Sequence, residues 1–381
     1  MAGDVNTAGH CDRQFAPVRE AFESNFSSRG DIGASVAVYR HGEPVVDLWG
    51  GWKDPEHTEP WSEGTLVNIW STTKGVTAAC FAMAVDRGVL SYRDKVADYW
   101  PEFAKAGKAD VTVAMLLSHQ AGLCGFRDPA SLHDLYDVEG AAARLAAAEP
   151  FWTPGSMSGY HAITMGALAS ALLKRAEGRP IADFVEDEFR QRLGLDIFIG
   201  LPTSERPRVS NLVAPIEMGS QDTAAELTPA QVAALANPAF APTVANEPDW
   251  REAEIPSANG HATARSLAQL YSALATEGIL NGIRIADPEV LREARTLQIE
   301  GKDAVLSIDA RWACGFLLNT NGLYGPCPES FGHSGWGGSF AFADPATGLG
   351  IAYTMNQMGT DLVGDPRNSA LIDAVYASLK Y

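Results

Sequence analysis

Ser71 and Lys74 are the side chains of this sequence whose types and spacing best suit nucleophilic catalysis. If a helix begins at Ser71, the two lie one turn apart on the same face. A hydroxyl needs a base within hydrogen-bond reach, and a lysine desolvated by apolar walls can supply one. Unpaired N–H groups at the helix start also favour the oxyanion that forms when serine attacks a carbonyl. S-x-x-K alone also occurs by chance, as a serine cap followed by a surface lysine, so other parts of the chain must support this reading.

The apolar run from Val76 to Val85 follows Lys74 directly. Its apolar residues fall at helical spacing with few polar side chains between them, which predicts a largely buried helix that Gly88 ends. Ser71 would open that helix.

Two glycine-containing stretches far along the chain could complete such a site. Gly155 to Tyr160 is a turn of small residues that presents one tyrosine just before a predicted helix. Gly332 to Gly338 is a glycine-rich run beside a predicted strand. Glycines let backbone approach a substrate closely and leave N–H groups free.

Taken together, Ser71-Thr72-Thr73-Lys74, Tyr160 and His333-Ser334-Gly335 resemble, in order and spacing, the three motifs of the serine β-lactamase and penicillin-binding superfamily. Within it the chain is most similar to the family VIII carboxylesterases, relatives of class C β-lactamases. Leu116 to Leu123 and Asn259 to Thr263 strengthen this resemblance, which covers roughly residues 30 to 360.

The chain departs from the β-lactamase pattern at two positions. Tyr160 is followed by His161-Ala162, so the asparagine of Tyr-x-Asn is absent, and His333 replaces the lysine of Lys-Thr-Gly. Because the nucleophile pair and the tyrosine are intact, these changes put β-lactam turnover in question and leave acyl transfer in place. His161 and His119 are interpreted as structural histidines.

Ser334 lies in Gly-His-Ser-Gly-Trp-Gly, which looks like the G-x-S-x-G elbow of lipases. In that motif the second glycine comes two residues after the serine, whereas here the corresponding residue is Trp336 and Gly337 follows one position late. Lipases of this type also need a catalytic histidine after the serine, but His333 is the last histidine of the chain. Ser334 is therefore interpreted as a substrate-binding or structural hydroxyl.

The resemblance implies a serine hydrolase acting on carboxylic esters through an acyl-enzyme on Ser71. Lys74 and Tyr160 remain alternative immediate bases, and a lysine ammonium beside the phenol is expected to lower the tyrosine pKa. The backbone N–H groups of Ser71 and Trp336 are expected to hold the oxyanion. The predicted substrate-binding residues are Trp336, His333, Ser334 and Gly335, and the predicted acyl-pocket residues are Phe126, Trp152 and Phe331. Trp70 and Trp336 are further aromatic candidates for this pocket.

Other activities of the same acyl-enzyme remain open, namely β-lactamase, D-aminopeptidase or DD-peptidase, and acyltransferase. A non-catalytic ligand-binding relative is disfavoured, because a binder has no use for an activated nucleophile. Residues 200 to 260 are rich in Pro, Asn and charge and contain no extended apolar lid. A short- or medium-chain acyl ester is therefore the expected substrate.

Composition excludes several other functions. A net charge of −18 disfavours nucleic-acid binding. We find no phosphate loop, dinucleotide fingerprint or metal-ligand spacing, so neither a cofactor nor a metal is expected. The absence of a membrane span or signal-like start, together with five scattered cysteines, predicts a cytoplasmic protein with free thiols.

Predicted strands at both chain ends, with helices between them, indicate an α+β fold. The hairpin of Gly33 to Tyr39 and Val45 to Trp49 would join strands from Ser339 to Ala343 and from Gly350 to Met355 in one antiparallel sheet. The resemblance implies the β-lactamase-like version of this fold, in which helices flank the sheet and a mostly helical domain is inserted. We expect a sheet domain from residues 1–70 and 265–381, and a helical domain with long loops from 71–264.

Overall fold

The computed structural model describes residues 6–216 and 227–379. Its strands are, in chain order, β1 (Thr7–Cys11), β2 (Gly33–Arg40), β3 (Glu43–Gly51), β4 (Val67–Asn68), β5 (Ile197–Phe198), β6 (His261–Ala262), β7 (Ile279–Leu280), β8 (Ile283–Arg284), β9 (Ile299–Lys302), β10 (Asp309–Trp312), β11 (Leu317–Leu318), β12 (Phe331–Ser334), β13 (Phe340–Asp344) and β14 (Leu349–Met355).

Its α-helices are α1 (Ala16–Ser28), α2 (Thr73–Asp86), α3 (Val96–Tyr99), α4 (Val113–Leu117), α5 (Leu132–Tyr136), α6 (Val138–Ala147), α7 (Thr164–Glu177), α8 (Ile181–Phe184), α9 (Pro229–Leu235), α10 (Pro248–Glu252), α11 (Ala264–Ala275), α12 (Pro288–Ala294) and α13 (Pro366–Ser378). Shorter 3₁₀ turns lie at Arg13–Phe15, Trp70–Thr72, Pro101–Ala104, Thr203–Arg208 and Pro242–Asn246, and Val185–Arg192 is π-helical.

Most of the described strands form one antiparallel sheet in the order β1-β3-β2-β14-β13-β12-β11-β10-β9. The two chain ends meet at its centre, where β2 pairs with β14 from Ala34 opposite Met355 to Arg40 opposite Leu349. The expected α+β class, with an antiparallel sheet from both chain ends flanked by helices, is confirmed.

The sheet is covered by helices on both faces because its strands alternate two sets of apolar side chains. On β2, Val36 and Val38 join the core that includes residues of α1 and α13, whereas Ala37 and Tyr39 join the core that includes α2 and α11. On β14, a side chain at Gly350 would overlap the backbone of α11. The small residues on this face therefore let α11 pack closely against the sheet.

Helix α2 is buried on every side, with each residue from Thr73 to Ala84 inaccessible to solvent. This confirms the largely buried helix predicted from the apolar run. A small sheet in the order β4-β6-β5 holds the segment just before this helix. The proposed domain division, with residues 71–264 as one unit, stays a prediction.

Two local sequence patterns predict elements that the structure does not contain as such. The strand-like run Ala313 to Leu318 predicts one strand, but it is a turn followed by β11, because Gly315 adopts a φ of +86° and packs against Ala78. The Ala-rich run Asp134 to Ala148 predicts a single helix, but it breaks at Asp137, whose carboxylate accepts from the Gly140 amide and begins α6.

Two further segments differ from or extend the sequence prediction. Strand β1 lies in the N-terminal stretch, for which the sequence predicted no strand. In the Pro-rich region from residue 200 to 260, the weak sequence pattern predicts long loops with one helix from Pro229 to Ala236, and this helix is present as α9. The predicted loops also cover residues 217–226, which lie outside the described residues.

None of the helices in the described ranges combines the length and the apolar character needed to cross a bilayer.

Candidate active site

Ser71 lies in the 3₁₀ turn that joins β4 to α2, so the nucleophile candidate precedes the α-helix instead of opening it. Trp70 has a φ of +43°, a left-handed conformation that is costly for a bulky residue and is typical of functional sites. The Asn68 side chain accepts the Trp70 amide, and the Thr73 hydroxyl donates to the Trp70 carbonyl. These two bonds hold the strained residue and expose the Ser71 hydroxyl, which is half-buried.

Lys74 is fully buried, and its Nζ has three oxygen neighbours. It lies 2.7 Å from the Ala162 carbonyl, 2.9 Å from the Ser257 carbonyl and 3.1 Å from Ser71 Oγ. A carbonyl can only accept, so two N–H groups point at the two carbonyls. In the neutral amine, the remaining position is the lone pair, and it faces the Ser71 hydroxyl.

Burial lowers the pKa of Lys74 well below its usual value. Both nearer oxygen partners are neutral carbonyls, which cannot offset the cost of burying an ammonium as a carboxylate would. The arrangement therefore favours a neutral lysine that can receive the serine proton.

Tyr160 lies beside this pair. The Lys74 Nζ is 4.6 Å from the centre of the Tyr160 ring, over its face, and the phenol lies near the Ser71 hydroxyl. Burial raises the pKa of Tyr160 above its usual value, although the nearby Ser71 hydroxyl opposes this effect. The expected lowering of the tyrosine pKa is therefore wrong, because the amine faces the ring and the phenol is desolvated.

Two residues that the sequence analysis did not place in the site hold the Tyr160 segment. Buried Asp303 accepts the Tyr160 amide at 2.9 Å, together with two amides of its own loop and the Trp312 indole. The Ala304 amide donates to the Ser158 carbonyl. Asp303 lies 143 positions from Tyr160, and no sequence motif marks this contact.

His119 and His161 have the structural roles predicted for them. His161 donates from Nδ1 to the Gly159 carbonyl and accepts the Leu123 amide at Nε2, which fixes its neutral tautomer. Burial lowers its pKa to about 4. The ring of His119 contacts the edge of Tyr160 with centroids 5.0 Å apart. The stretch from Leu116 to Leu123 thus supports the tyrosine.

His333 lies on β12 with its ring 6.0 Å from that of Tyr160. Its Nδ1 donates to the Ser334 carbonyl. Burial, and second the positive charge that Lys74 carries when protonated, lower the pKa of His333 to about 3. His333 is therefore neutral at pH 7. The Ser334 hydroxyl lies 3.2 Å from the Tyr324 hydroxyl, whereas the serine hydroxyl that contacts Lys74 Nζ is that of Ser71.

Two backbone amides beside the nucleophile candidate, those of Ser71 and Trp336, have no acceptor in the described parts of the chain. Around Ser71, the amides of Trp70 and Thr72 are bonded, but that of Ser71 is free. In the loop after β12, the Trp336 amide is free. The two segments touch, because a side chain at Gly335 would overlap the Ile69 carbonyl. Free amides on adjoining segments can accommodate an oxyanion.

The aromatic cluster around Trp70, the residue before Ser71, combines two residues named from the sequence, Trp70 and Trp336, with two that were not. Trp70 packs against Phe240, Trp250 and Trp336, with ring centroids 6.1, 5.3 and 5.2 Å apart. Phe240 and Trp336 are half-buried at the edge of this cluster. Phe240 and Trp250 come from the Pro-rich region, where the sequence pattern gave no signal for a pocket.

The other three predicted acyl-pocket residues lie in different surroundings. Phe126 is in the core of the helices, Phe331 packs edge-on against Phe316 beneath the sheet, and Trp152 packs against His161 behind the Tyr160 segment. Their role in binding an acyl group stays a prediction.

Comparison with known proteins agrees with this fold. The family model described as Beta-lactamase matches residues 19–375. The esterase/beta-lactamase LipL of Mycobacterium tuberculosis strain H37Rv is 36% identical over 93% of this chain and 84% of its own length.

Two solved structures are similar over almost their whole length. A family VIII carboxylesterase is 43% identical with a TM-score of 0.93, over 98% of this chain and 100% of the other. A penicillin-binding protein homologue from Caulobacter crescentus is 46% identical with a TM-score of 0.92 and the same coverage.

The chain therefore belongs to the beta-lactamase family, and its β-lactamase-like fold is confirmed. Its predicted resemblance to the family VIII carboxylesterases is confirmed as well.

Proposed function

We propose that this protein is a carboxylesterase that cleaves short- to medium-chain esters through an acyl-enzyme on Ser71. The observation that carries the proposal is the position of Lys74 Nζ, which bonds two backbone carbonyls and points its third position at Ser71 Oγ. The similarity to a family VIII carboxylesterase and to an esterase/beta-lactamase supports it.

In the proposed reaction, neutral Lys74 takes the Ser71 proton as Ser71 Oγ attacks the ester carbonyl. The developing oxyanion is held by the amides of Ser71 and Trp336. The elevated pKa of Tyr160 keeps its phenol protonated, so Tyr160 serves as the acid that protonates the leaving alcohol. The proton received by Lys74 then restores the phenol, and water releases the acyl group.

We also propose a cytoplasmic location. All five cysteines are free thiols: Cys80, Cys124 and Cys314 are buried, and Cys11 and Cys327 are partly buried. Free thiols are typical of a reducing compartment.

Turnover on a panel of p-nitrophenyl butyrate, nitrocefin and a D-alanyl peptide tests the proposal. We expect p-nitrophenol release far beyond one equivalent per enzyme. A binder would stop at one equivalent or less, and preferred turnover of nitrocefin or the peptide would assign one of the alternative activities of the same acyl-enzyme.

Ester should be preferred over β-lactam because two polar contacts of the superfamily are missing. His333 is neutral and Ala162 has no amide side chain, so a lactam's carboxylate and side-chain amide lose a charge-assisted and a neutral hydrogen bond. These are worth about 1.5–3 and 0.5–1.5 kcal/mol, or about 30-fold to 2,000-fold in kcat/KM if they add.

The double variant Ala162→Asn with His333→Lys should shift the ratio of nitrocefin to p-nitrophenyl butyrate efficiency toward nitrocefin. The single variant Ala162→Asn is the matched control and should give a smaller shift. Equal efficiency on both substrates in the wild type, or no shift in a folded double variant, would contradict the argument.

Phe240 is expected to limit the length of the acyl chain, since its half-buried ring lies over Trp70 beside the nucleophile. Phe240→Ala should raise the efficiency on p-nitrophenyl octanoate relative to butyrate by roughly 10-fold or more, because each buried methylene contributes about 0.8 kcal/mol. The same ratio measured in Phe126→Ala tests the pocket chosen from the sequence. A shift in Phe126→Ala alone would favour that pocket over the Trp70 cluster.

A further inference from the structure

Arg367, the second residue of α13, is a buried arginine whose five N–H donors are all used. Its Nε and Nη2 bind the two oxygens of Asp365 at 2.9 and 2.7 Å, and Nη1 binds Asp31 at 2.8 Å. The remaining two donors go to backbone carbonyls, Gln357 from Nη1 and Gly337 from Nη2, both at 2.7 Å.

The Gly337 carbonyl belongs to the loop that carries the free Trp336 amide. In this loop the amides of Gly335, Gly337 and Gly338 all have acceptors: the carbonyls of Ser339, Asp361 and Gly335, respectively. Within the part of the chain that the structure describes, the Trp336 amide is thus the one backbone amide of residues 335–338 that has no acceptor. The loop is built to present a single N–H group.

The two glycines of this loop have little conformational preference of their own. Gly337 and Gly338 both have a positive φ, +89° and +121°, and two successive glycines populate many conformations at little cost. The Gly337 carbonyl is fixed from outside, by the Gly359 amide at 2.8 Å and by Arg367. Since Arg367 is itself held by two carboxylates, it is the rigid support of the loop.

From these contacts we infer that Arg367 is a positioning residue for the oxyanion hole: its bond to the Gly337 carbonyl orients the Trp336 amide toward the ester oxygen. The inference rests on the proposed function, because it assigns that amide a catalytic role. A buried ion pair often contributes little to the net free energy of unfolding. The consequence that we assign to this network is therefore a fixed conformation of the loop.

Arg367→Lys tests the inference, because an ammonium keeps the charge but cannot bind Asp365 and Gly337 through a planar fork. We expect kcat for p-nitrophenyl butyrate to fall roughly 10-fold to 100-fold, less than the 10²- to 10³-fold typical when an oxyanion donor is removed. KM should stay within about threefold, since the amide acts mainly on the transition state.

A butyl trifluoromethyl ketone gives a second readout. It adds to the serine as a tetrahedral adduct whose oxyanion occupies the hole, so its inhibition constant should rise by the same factor as kcat falls. Loss of structure alone would not produce this parallel change at constant KM.

Tyr353→Phe is the matched control. The Tyr353 hydroxyl donates to Asp31 at 2.5 Å, on the far side of the same network, and its removal leaves the five bonds of Arg367 in place. This variant should lose thermal stability, yet keep kcat and the inhibition constant within about threefold of the wild type.

Asp365→Asn carries the test if Arg367→Lys does not fold. Asparagine still caps α13 but places its amide group against Nη2 of Arg367. We therefore expect kcat to fall and the inhibition constant to rise, as in Arg367→Lys. A folded Arg367 or Asp365 variant with unchanged kcat, or the same loss in Tyr353→Phe, would overturn the inference. A wild type without esterase activity would overturn the proposed function and this assignment with it.

Discussion

Ser71→Ala is expected to lower ester kcat/KM by roughly 10⁴-fold or more, because it removes the atom that forms the acyl-enzyme. The change deletes one half-buried hydroxyl in the middle of the Trp70–Thr72 turn, and the bonds that hold Trp70 come from Asn68 and Thr73. The melting temperature should therefore stay close to that of the wild type. Initial rates on p-nitrophenyl butyrate and the mass of the quenched enzyme measure both effects, since the wild type alone should carry a butyryl adduct.

Ser334→Ala is the competing variant, because Ser334 lies in the sequence that resembles a lipase elbow. Its hydroxyl hydrogen-bonds with that of Tyr324. We expect this variant to retain the acyl adduct on Ser71. An active Ser71→Ala beside an inactive Ser334→Ala would move the nucleophile to Ser334.

Tyr160→Phe is expected to lower kcat/KM by about 10² to 10⁴-fold on an alkyl ester, the range of a lost general acid. The loss should be much smaller on p-nitrophenyl butyrate, because p-nitrophenolate leaves without being protonated. The test compares the loss of kcat/KM on p-nitrophenyl butyrate with the loss on ethyl butyrate, because kcat/KM reports the acylation step. A difference between the two losses separates a general acid from a general base.

Equal losses on both esters would assign Tyr160 to the removal of the serine proton and leave Lys74 a supporting role. Tyr92→Phe is the matched control, since Tyr92 is a buried tyrosine of the helical core whose hydroxyl has no partner among the described residues. Its kcat/KM should stay near that of the wild type.

Local sequence predicted most of the elements that carry the site. The apolar run after Lys74 specified a buried helix, and the alternation on both sides of Arg40 specified the β2–β3 hairpin. The glycines after His333 indicated a loop with free N–H groups, and one of them, that of Trp336, is free. These features depend on residues close together in the chain, so they can be predicted from the local sequence.

The electrostatics of the site could not be obtained in this way. The state of the Lys74 amine depends on carbonyls 88 and 183 positions away. The pKa of the Tyr160 phenol depends on burial, so the predicted lowering of that pKa was wrong. A backbone carbonyl has no side-chain identity, and therefore no motif marks the Ala162 and Ser257 oxygens. The missing asparagine side chain at position 162 was visible in the sequence, whereas the carbonyl that contacts Lys74 there was not.

The supports of the site are equally non-local. Asp303 holds the Tyr160 amide, Arg367 holds the loop of Trp336, and Phe240 packs against Trp70, yet each lies in a stretch without a recognisable pattern.

The sequence by itself thus determined the chemical groups, the order of the motifs and the strands and helices that carry them. Only the tertiary structure decided which proton each group holds and where the free amides lie, because pKa values and hydrogen bonds depend on atoms brought together from distant parts of the chain.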